Sequence, residues 1–216
     1  MIRLLDIGLS MLAVAILSPL LAFVALFIAC TGEGDIFFVQ VRSGQNGKAI
    51  NVLKFATMTK DSANMAAGLF VDENDSRLLL GGAFFRATKI NELPQLFNVL
   101  LGDMSLVGWR PLVEATFSRA NSLSRQGTYA VKPGITSLTS VLHRREEELL
   151  SKLGDNDRNQ YYFEVLLPEK VALDHWWAVN RSTWTYLLVL LLTFWVVFLP
   201  KRKAPVWILG NDVPMG

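Results

Sequence analysis

Two long apolar runs without charge frame the chain. Residues 7–30 and 184–199 contain no Asp, Glu, Lys or Arg. As a helix the first run is about 36 Å long, enough to cross a hydrocarbon core of about 30 Å, whereas the second, at about 24 Å, is short for a span. The first is also too long for a signal-peptide core and lacks a clean cleavage site. The pattern predicts one soluble-type domain carrying two lipid-facing segments.

Ser18 and Pro19 interrupt the first run near its middle. Proline removes a backbone donor and clashes with the carbonyl four residues back, that of Ala15, so we expect a kink there. In lipid, the freed carbonyl needs a partner such as the Ser18 hydroxyl. Composition leaves two readings open: a kinked helix that crosses the membrane, and a helix that bends at Ser18-Pro19 and returns to the same face.

The second run has basic flanks, Arg181 before it and residues 201–203 after it. Because basic flanks favour the cytoplasmic side, a segment lying in the interface suits both flanks better than one that crosses. Aromatic residues gather nearby: Trp176, Trp177, Trp184 and Tyr186. Such rings favour headgroup depth, with a tryptophan-rich core strip as the alternative.

Between the runs, the pattern predicts a small mixed domain. Two short strands, 35–42 and 50–58, flank the turn residues 43–48 and predict a hairpin. Residues 61–82 are rich in Gly, Asn, Asp and Ser and predict a loop, with at most one helical turn. Apolar positions three and four apart predict the helices 83–88, 91–101, 146–153 and 161–179, the last interrupted at Pro168.

Composition excludes several classes of protein. The 216 residues are 51% hydrophobic and 19% charged, and the net charge of +2 is too small to indicate nucleic-acid binding. A single cysteine, Cys30, excludes a disulfide within the chain and a cysteine-based zinc site. His143 and His175 are too few for a histidine-rich metal site. Walker, GxGxxG, GxSxG and HExxH motifs are all absent from the sequence.

Polar residues are dense around the predicted helix that opens at Asn91. The candidates are Lys54, Arg86, Asn91, Glu92, Asp103 and Arg110. Arginine and lysine suit phosphates, a helix N-terminus favours anions, and carboxylates beside phosphates suit Mg²⁺. Together they indicate phosphate chemistry at a membrane surface. Taken singly, Lys54 and Arg86 are equally well explained as solvated side chains, and Asp103 as the cap of a turn after Gly102.

The sequence TKINELPQLFNVLLGDMSLVGWRPL at 88–112, followed by KPGIT at 132–136, closely resembles the bacterial sugar transferase domain of monotopic phosphoglycosyl transferases. The resemblance extends to Ser18-Pro19, to KFATM at 54–58, and to the segment 161–170. It therefore covers nearly the whole chain.

The resemblance implies a Mg²⁺-dependent enzyme that moves a sugar-1-phosphate from a UDP-sugar to undecaprenyl phosphate and releases UMP. The implied fold is a small α/β domain with a short β-hairpin and several amphipathic interfacial helices. Three segments are expected: a re-entrant membrane helix at 1–32 that bends at Ser18-Pro19, a cytoplasmic transferase domain at 33–180, and an interfacial apolar helix with a tail at 181–216. The expected location is the cytoplasmic face of the bacterial inner membrane, among its lipids. A homodimer or downstream glycosyltransferases are possible partners.

The catalytic pair is where this sequence departs most from the family. The family uses an Asp-Glu pair whose aspartate attacks the donor phosphate, giving a covalent phosphosugar intermediate. Glu92 matches the second member and is the expected metal ligand, but Asn91 stands in place of the first. A carboxamide is a poor nucleophile, although it caps helices as well as aspartate does. Three explanations stay open: an inactivating substitution made for study, a natural pseudoenzyme, and an enzyme with altered chemistry.

Other departures flank the site. Trp109 replaces the usual proline and sets a large ring beside the expected phosphate-binding Arg110, which puts the local loop geometry in question. Ser137 and Thr139 replace the commoner glycine and alanine after KPGIT and are candidates for sugar selection. Two other functions compete with the enzyme: a non-catalytic membrane protein that binds polyprenyl phosphate or scaffolds glycosyltransferases, and an inert anchor with two spans.

Overall fold

The structure, a computed structural model, describes residues 1–63, 75–199, 202, 204–210 and 212–214. The helices in these ranges are α1 (Ile2–Thr31), α2 (Gly82–Ala87), α3 (Gln95–Leu101), α4 (Glu114–Leu123), α5 (Leu138–Leu142), α6 (Glu146–Ser151), α7 (Asp155–Tyr161), α8 (Leu167–Asn180) and α9 (Thr183–Phe198). The strands are β1 (Phe37–Ser43), β2 (Ala49–Phe55), β3 (Ser105–Val107) and β4 (Gly134–Thr136). The chain is thus a mainly helical α/β protein with a long apolar helix near its N-terminus, which confirms the predicted fold class.

β1 and β2 form the predicted hairpin. They pair antiparallel, with Phe37 opposite Phe55 and Ser43 opposite Ala49. In the turn, Asn46 and Gly47 adopt φ angles of 57° and 73°, a left-handed conformation that asparagine and glycine tolerate best. Of the predicted loop 61–82, residues 64–74 lie outside the described residues. The part before them belongs to a 3₁₀ turn at Lys60–Ala63, and α2 begins at Gly82.

The sequence pattern does not predict the second sheet. β3 and β4 are three residues each and pair in parallel, with Ser105 opposite Gly134 and Val107 opposite Thr136. Strands this short cannot show the alternation that predicts a strand. The glycine of KPGIT has a structural reason, because a Cβ on Gly134 would lie against the backbone nitrogen of Gly108.

α1 is long and apolar enough to cross a membrane by length and composition. The proline lies inside it, and the Ser18 hydroxyl donates to the carbonyl of Ala15 at 2.9 Å. This is the partner predicted for the carbonyl that Pro19 leaves free. Large apolar side chains along the helix stay exposed to the surroundings: Met11, Leu12, Ile16, Phe23 and Leu26.

Both ends of α1 contact the domain. Near its start, Arg3 donates to the carbonyls of Val99 and Leu100 at the end of α3. Near its other end, Val24 and Ile28 are buried in one apolar cluster with side chains from β2 and α2. The exposed middle of the helix therefore lies between two anchored ends.

A buried carboxylate, that of Asp6, fixes the position of the start of α1 on the domain. Asp6 is 2% exposed and accepts hydrogen bonds from the Ser105 hydroxyl at 2.8 Å, the Leu106 backbone N–H at 2.9 Å and the Tyr186 hydroxyl at 2.8 Å. Each buried donor thus has its acceptor. One side chain joins α1 to β3 and to α9.

The aromatic cluster at the end of α8 and the start of α9 is mostly core, which corrects the expectation of headgroup depth. Trp176, Trp177 and Tyr186 are 8%, 2% and 0% exposed, and only Trp184 of the four is exposed, at 69%. The periodicity of α8 and α9 turns the first three rings inward, so the core alternative is correct for them. α9 itself begins at the predicted position, where the Ser182 hydroxyl accepts the backbone N–H of Thr185.

Two predicted helices have different boundaries. The expected helix 91–101 begins only at Gln95, because Ile90–Glu92 form a separate 3₁₀ turn and Pro94 occupies the N-cap of α3. Asn91 is therefore not the cap of that helix. The interruption expected at Pro168 is a π-helical turn, Tyr162–Leu166, which separates α7 from α8. Proline at the first turn of α8 lacks the N–H that a continuous α-helix would need.

Replacing Asp6 by alanine tests the anchor at the start of α1. We expect the free energy of unfolding to fall by about 3 kcal/mol, because buried donors lose their acceptor. For a chain of this size that is a fall of about 6–12 °C in the midpoint of thermal unfolding, measured on the detergent-solubilised protein. Asp157→Asn, at an exposed position in α7, is the control. An unchanged midpoint for Asp6→Ala would contradict the anchor.

Candidate active site

Glu92 reaches its position through an unusual backbone conformation. Lys89, directly before the 3₁₀ turn, has a φ of 58°, in the left-handed region that residues other than glycine rarely adopt. This turn links α2 to α3, and Glu92 within it is only 9% exposed. Strained conformations of this kind are common at functional sites.

The Glu92 carboxylate lies between two cations. Its Oε1 accepts a hydrogen bond from the Arg110 guanidinium at 2.9 Å and lies 3.6 Å from the Lys54 ammonium. Burial alone would raise the pKa of Glu92, but Arg110 and Lys54 together lower it to about 2, so the group is ionised at neutral pH. Burial lowers the pKa of Lys54 to about 8, although the Glu92 charge opposes that shift.

A cavity of about 570 Å³ opens at this cluster. Five of the six predicted polar residues line it: Lys54, Arg86, Asn91, Glu92 and Arg110. They come from β2, α2, the 3₁₀ turn and the segment after β3, so the fold brings together residues up to 56 positions apart. The cavity is rich in cations and has apolar walls from Phe37, Phe38 and Leu79. An anionic group with an apolar tail suits such a lining.

Asp103 does not belong to this cavity, which corrects the grouping made from the sequence. It is exposed and follows Gly102, the residue that ends α3 in a left-handed conformation. Seven helical residues separate that end from the 3₁₀ turn, a distance of about 10 Å. The alternative reading of Asp103, as a turn residue after Gly102, fits its position.

Sequence reasoning missed Arg42 and Gln40, which line the same cavity. Both lie on β1, and the register places them on the same face of the hairpin as Lys54, which is opposite Phe38. The alternation of polar and apolar residues in this strand could have indicated them. Burial, reinforced by the charge of Arg110, lowers the pKa of Arg42 to about 10, so it still carries its charge at neutral pH.

Asn91 is buried beside Glu92, and its Oδ1 has no hydrogen-bond partner among the described residues. An unpartnered buried oxygen is available to accept from water or to ligate an ion. Mg²⁺ takes oxygen ligands and usually shares them between one or two carboxylates and substrate phosphates. Glu92 with the carboxamide oxygen of Asn91 fits that donor set. Within the described ranges, no three or more His, Cys, Asp or Glu side chains are grouped so that they could hold a metal ion by themselves.

Trp109 points away from the site. Its ring is 0% exposed and packs against Phe117 and Tyr129, and its Nε1 donates to the Val131 carbonyl at 2.9 Å. The large ring therefore fills the core, and neighbouring Arg110 still reaches Glu92. Of the other departures, Ser137 caps α5 by accepting the Ser140 N–H.

The fold and the site together define a membrane-associated protein with a buried, cation-rich site. The chain belongs to the bacterial sugar transferase family, which matches residues 1–200.

Several relatives have names that state a function. The chain is 35% identical over 203 residues to the UDP-glucose:undecaprenyl-phosphate glucose-1-phosphate transferase of Klebsiella pneumoniae, an alignment covering 92% of this chain and 40% of the relative. It is 39% identical over 146 residues to the exopolysaccharide production protein PSS of Rhizobium leguminosarum bv. phaseoli, covering 64% of this chain and 72% of the relative. A putative undecaprenyl-phosphate N-acetylgalactosaminyl 1-phosphate transferase of Bacillus subtilis is 38% identical over 109 residues, covering 50% of this chain and 60% of that protein.

The depressed pKa of Lys54 predicts how the binding of a phosphate-containing probe, such as UDP, varies with pH. Lys54 loses its charge as the pH rises through about 8, whereas a terminal phosphate, with a second pKa of about 6, is already fully charged there. We expect the affinity for UDP to fall about tenfold between pH 7 and pH 9, since roughly one Lys54 in ten is protonated at pH 9.

Lys54→Arg is the matched variant, because arginine keeps its charge over this range. Its affinity for UDP, measured by calorimetry, should stay nearly constant from pH 7 to pH 9. Parallel pH profiles for the two proteins would contradict the assignment to Lys54.

Proposed function

We propose that the site of this chain is built for transfer of a sugar-1-phosphate from a UDP-sugar to undecaprenyl phosphate with release of UMP, the first membrane step of bacterial glycan assembly, and that Asn91 in the nucleophile position disables that transfer in this sequence. The observation that carries the proposal is the Glu92 carboxylate held between Lys54 and Arg110 in a cavity that also has apolar walls. Cations there can neutralise donor and acceptor phosphates at once. The names of the Klebsiella and Bacillus relatives are consistent with this reaction.

The chain's own residues have distinct roles in this proposal. Arg110, Arg42 and Arg86 bind phosphate oxygens, and arginine can hold two of them at once. Glu92 orients Lys54 and Arg110 before the substrate binds and, together with the Asn91 carboxamide oxygen, would hold Mg²⁺. When bound, that ion would offset the charge of the phosphates. The grouping of these residues in one cavity supports the roles.

The residue at position 91 limits turnover in this sequence. In the family mechanism an aspartate oxygen attacks the donor phosphorus, UMP leaves, and the lipid phosphate then displaces the carboxylate. The carboxamide of Asn91 lacks the negative oxygen for that attack. We therefore propose that binding persists in this chain while the two-step transfer is blocked.

Restoring aspartate at position 91 tests the enzyme function. We expect Asn91→Asp to raise UMP release from UDP-sugars with undecaprenyl phosphate and Mg²⁺ by at least about 100-fold, since the loss of a nucleophile in other enzymes costs far more. Asn121→Asp, an exposed position in α4, is the control for added charge. Adding Glu92→Gln to Asn91→Asp should abolish the gain.

A different outcome would favour the competing function. If Asn91→Asp gives no turnover with any donor, and binding of polyprenyl phosphate survives Glu92→Gln and Arg110→Ala, the chain is a non-catalytic lipid-binding or scaffolding protein. The amide at position 91 is the observation that favours this second candidate.

The contacts at both ends of α1 support a re-entrant membrane helix. A helix that crosses about 30 Å of hydrocarbon carries its two ends to opposite faces. Here Arg3 and Asp6 bind α3 and β3, while Val24 and Ile28 pack on β2 and α2. We propose that both ends and the domain lie at the cytoplasmic face of the inner membrane, with the exposed apolar faces of α1 and α9 in one leaflet.

Cysteine labelling tests this topology. Cys30 is exposed near the end of α1, and a Leu4→Cys variant in a Cys30→Ser background marks its start. We expect a membrane-impermeant maleimide to label both positions in inverted vesicles and neither in intact spheroplasts. Labelling of the two positions from opposite sides would show a spanning helix instead.

A further inference from the structure

A second cavity, of about 420 Å³, adjoins the Glu92 cavity. The two share a rim on which the polar side chains are Gln40, Arg42, Arg86, Lys89 and Arg110. A ligand whose phosphates bind this rim therefore has room to extend in two directions. The Glu92 cavity includes the apolar hairpin residues Phe37 and Phe38, whereas the second cavity is built from α5, α8 and the turn before β4.

The second cavity contains a hydrogen-bonded pair that the reaction described above does not use. The Thr139 hydroxyl donates to Asp174 Oδ1 at 2.9 Å, and the two residues are 4% and 6% exposed. Both line the cavity. A carboxylate this deeply buried is costly unless it is paired or meets further donors.

Tyr129 adds an unpartnered donor. It lines the same cavity, is 5% exposed, and its hydroxyl has no hydrogen-bond partner in the described part of the chain. Burial, followed by the charge of nearby Asp174, raises the pKa of Tyr129, so the phenol keeps its proton. A buried donor without a partner in the protein is available to a ligand group that accepts its hydrogen bond.

The combination selects for hydroxyl groups. A hydroxyl both donates and accepts, so a ligand with several hydroxyls can donate to Asp174 and accept from Tyr129 in the same cavity. A phosphate dianion has no proton to donate to Asp174, whereas a hydroxyl has one. Burial raises the pKa of Asp174 to about 7, although Thr139 and Lys170 oppose the shift, so at neutral pH this group also donates in part of the molecules.

The polar groups come from three separate elements. Thr139 lies on α5, Asp174 lies on α8, and Tyr129 lies in the 3₁₀ turn Thr128–Ala130. A sugar ring carries hydroxyls all around it, whereas a nucleobase has a single polar edge. Polar groups that converge from several elements therefore match a sugar better than a nucleobase. We propose that this cavity binds the glycosyl group of the donor, and that Thr139 and Asp174 determine which sugar is accepted. The inference rests on the proposed function.

Binding measurements test the inference without requiring turnover. The probes are UDP, UDP-glucose, UDP-galactose and UDP-N-acetylgalactosamine, titrated by calorimetry into the full-length chain in nanodiscs. For the preferred donor, we expect Thr139→Val and Asp174→Asn each to lower its affinity, relative to that of UDP, by about tenfold. UDP affinity itself should change less than about twofold, because UDP lacks the sugar that the donor carries on its terminal phosphate.

Matched variants distinguish an effect on sugar selection from an effect on folding. Thr139→Ser keeps the hydroxyl and should restore the wild-type ratio of donor to UDP affinity, and Asp157→Asn, at an exposed site outside both cavities, should leave it unchanged. Thermal unfolding identifies any variant that has lost its fold. Such a variant is replaced by Tyr129→Phe, which removes only the hydroxyl and should lower the same ratio.

Two results would overturn the inference while leaving the proposed function intact. One is an unchanged ratio in all of these folded variants, and the other is an equal loss of affinity for UDP and for every donor, which would assign the cavity to the nucleoside. If the wild-type chain binds neither UDP nor any UDP-sugar, the proposed donor fails and the inference fails with it.

Discussion

The buried carboxylate of Asp6 is the constraint on which the placement of the membrane helix depends. Three donors from β3 and α9 converge on it, so the start of α1 has one defined position on the domain. Apolar packing alone would let a helix slide, because such contacts are not directional. Hydrogen bonds to a buried carboxylate require a defined geometry, and leaving its donors without an acceptor costs free energy. These bonds therefore set the position of α1.

The candidate site is built around a second buried carboxylate, that of Glu92, whose neighbours are charged and not neutral. Asp6 meets neutral donors, whereas Glu92 meets Lys54 and Arg110. The neighbouring cations keep Glu92 ionised despite its burial, and burial in turn lowers the pKa of Lys54. The positive charge is then concentrated beside an apolar wall, where a lipid phosphate and a water-soluble phosphate donor can both approach.

Much of the fold and most of the site could be predicted from local signals. The hairpin alternates around a turn rich in Gly and Asn, and the apolar runs are long and free of charge, so each pattern lies within one segment. The sheet of β3 and β4 could not be predicted, because three-residue strands have no period. Asp103 was grouped with Glu92 because it is near in sequence, but α3 carries it to the other end of a helix. Arg42 was missed although its strand alternates, because only the hairpin register shows that it shares a face with Lys54.

The sequence by itself determined the class of the protein, the two apolar segments, and the identity of Lys54, Arg86, Asn91, Glu92 and Arg110 as candidates. These depend on residue type and short spacing, which a single chain displays directly. Only the tertiary structure decided that Trp109 packs inward, that Asp6 joins α1 to α9, and that Thr139 meets Asp174 across 35 positions. Such contacts depend on which faces the packed elements present to one another, and no local pattern along the chain encodes that choice.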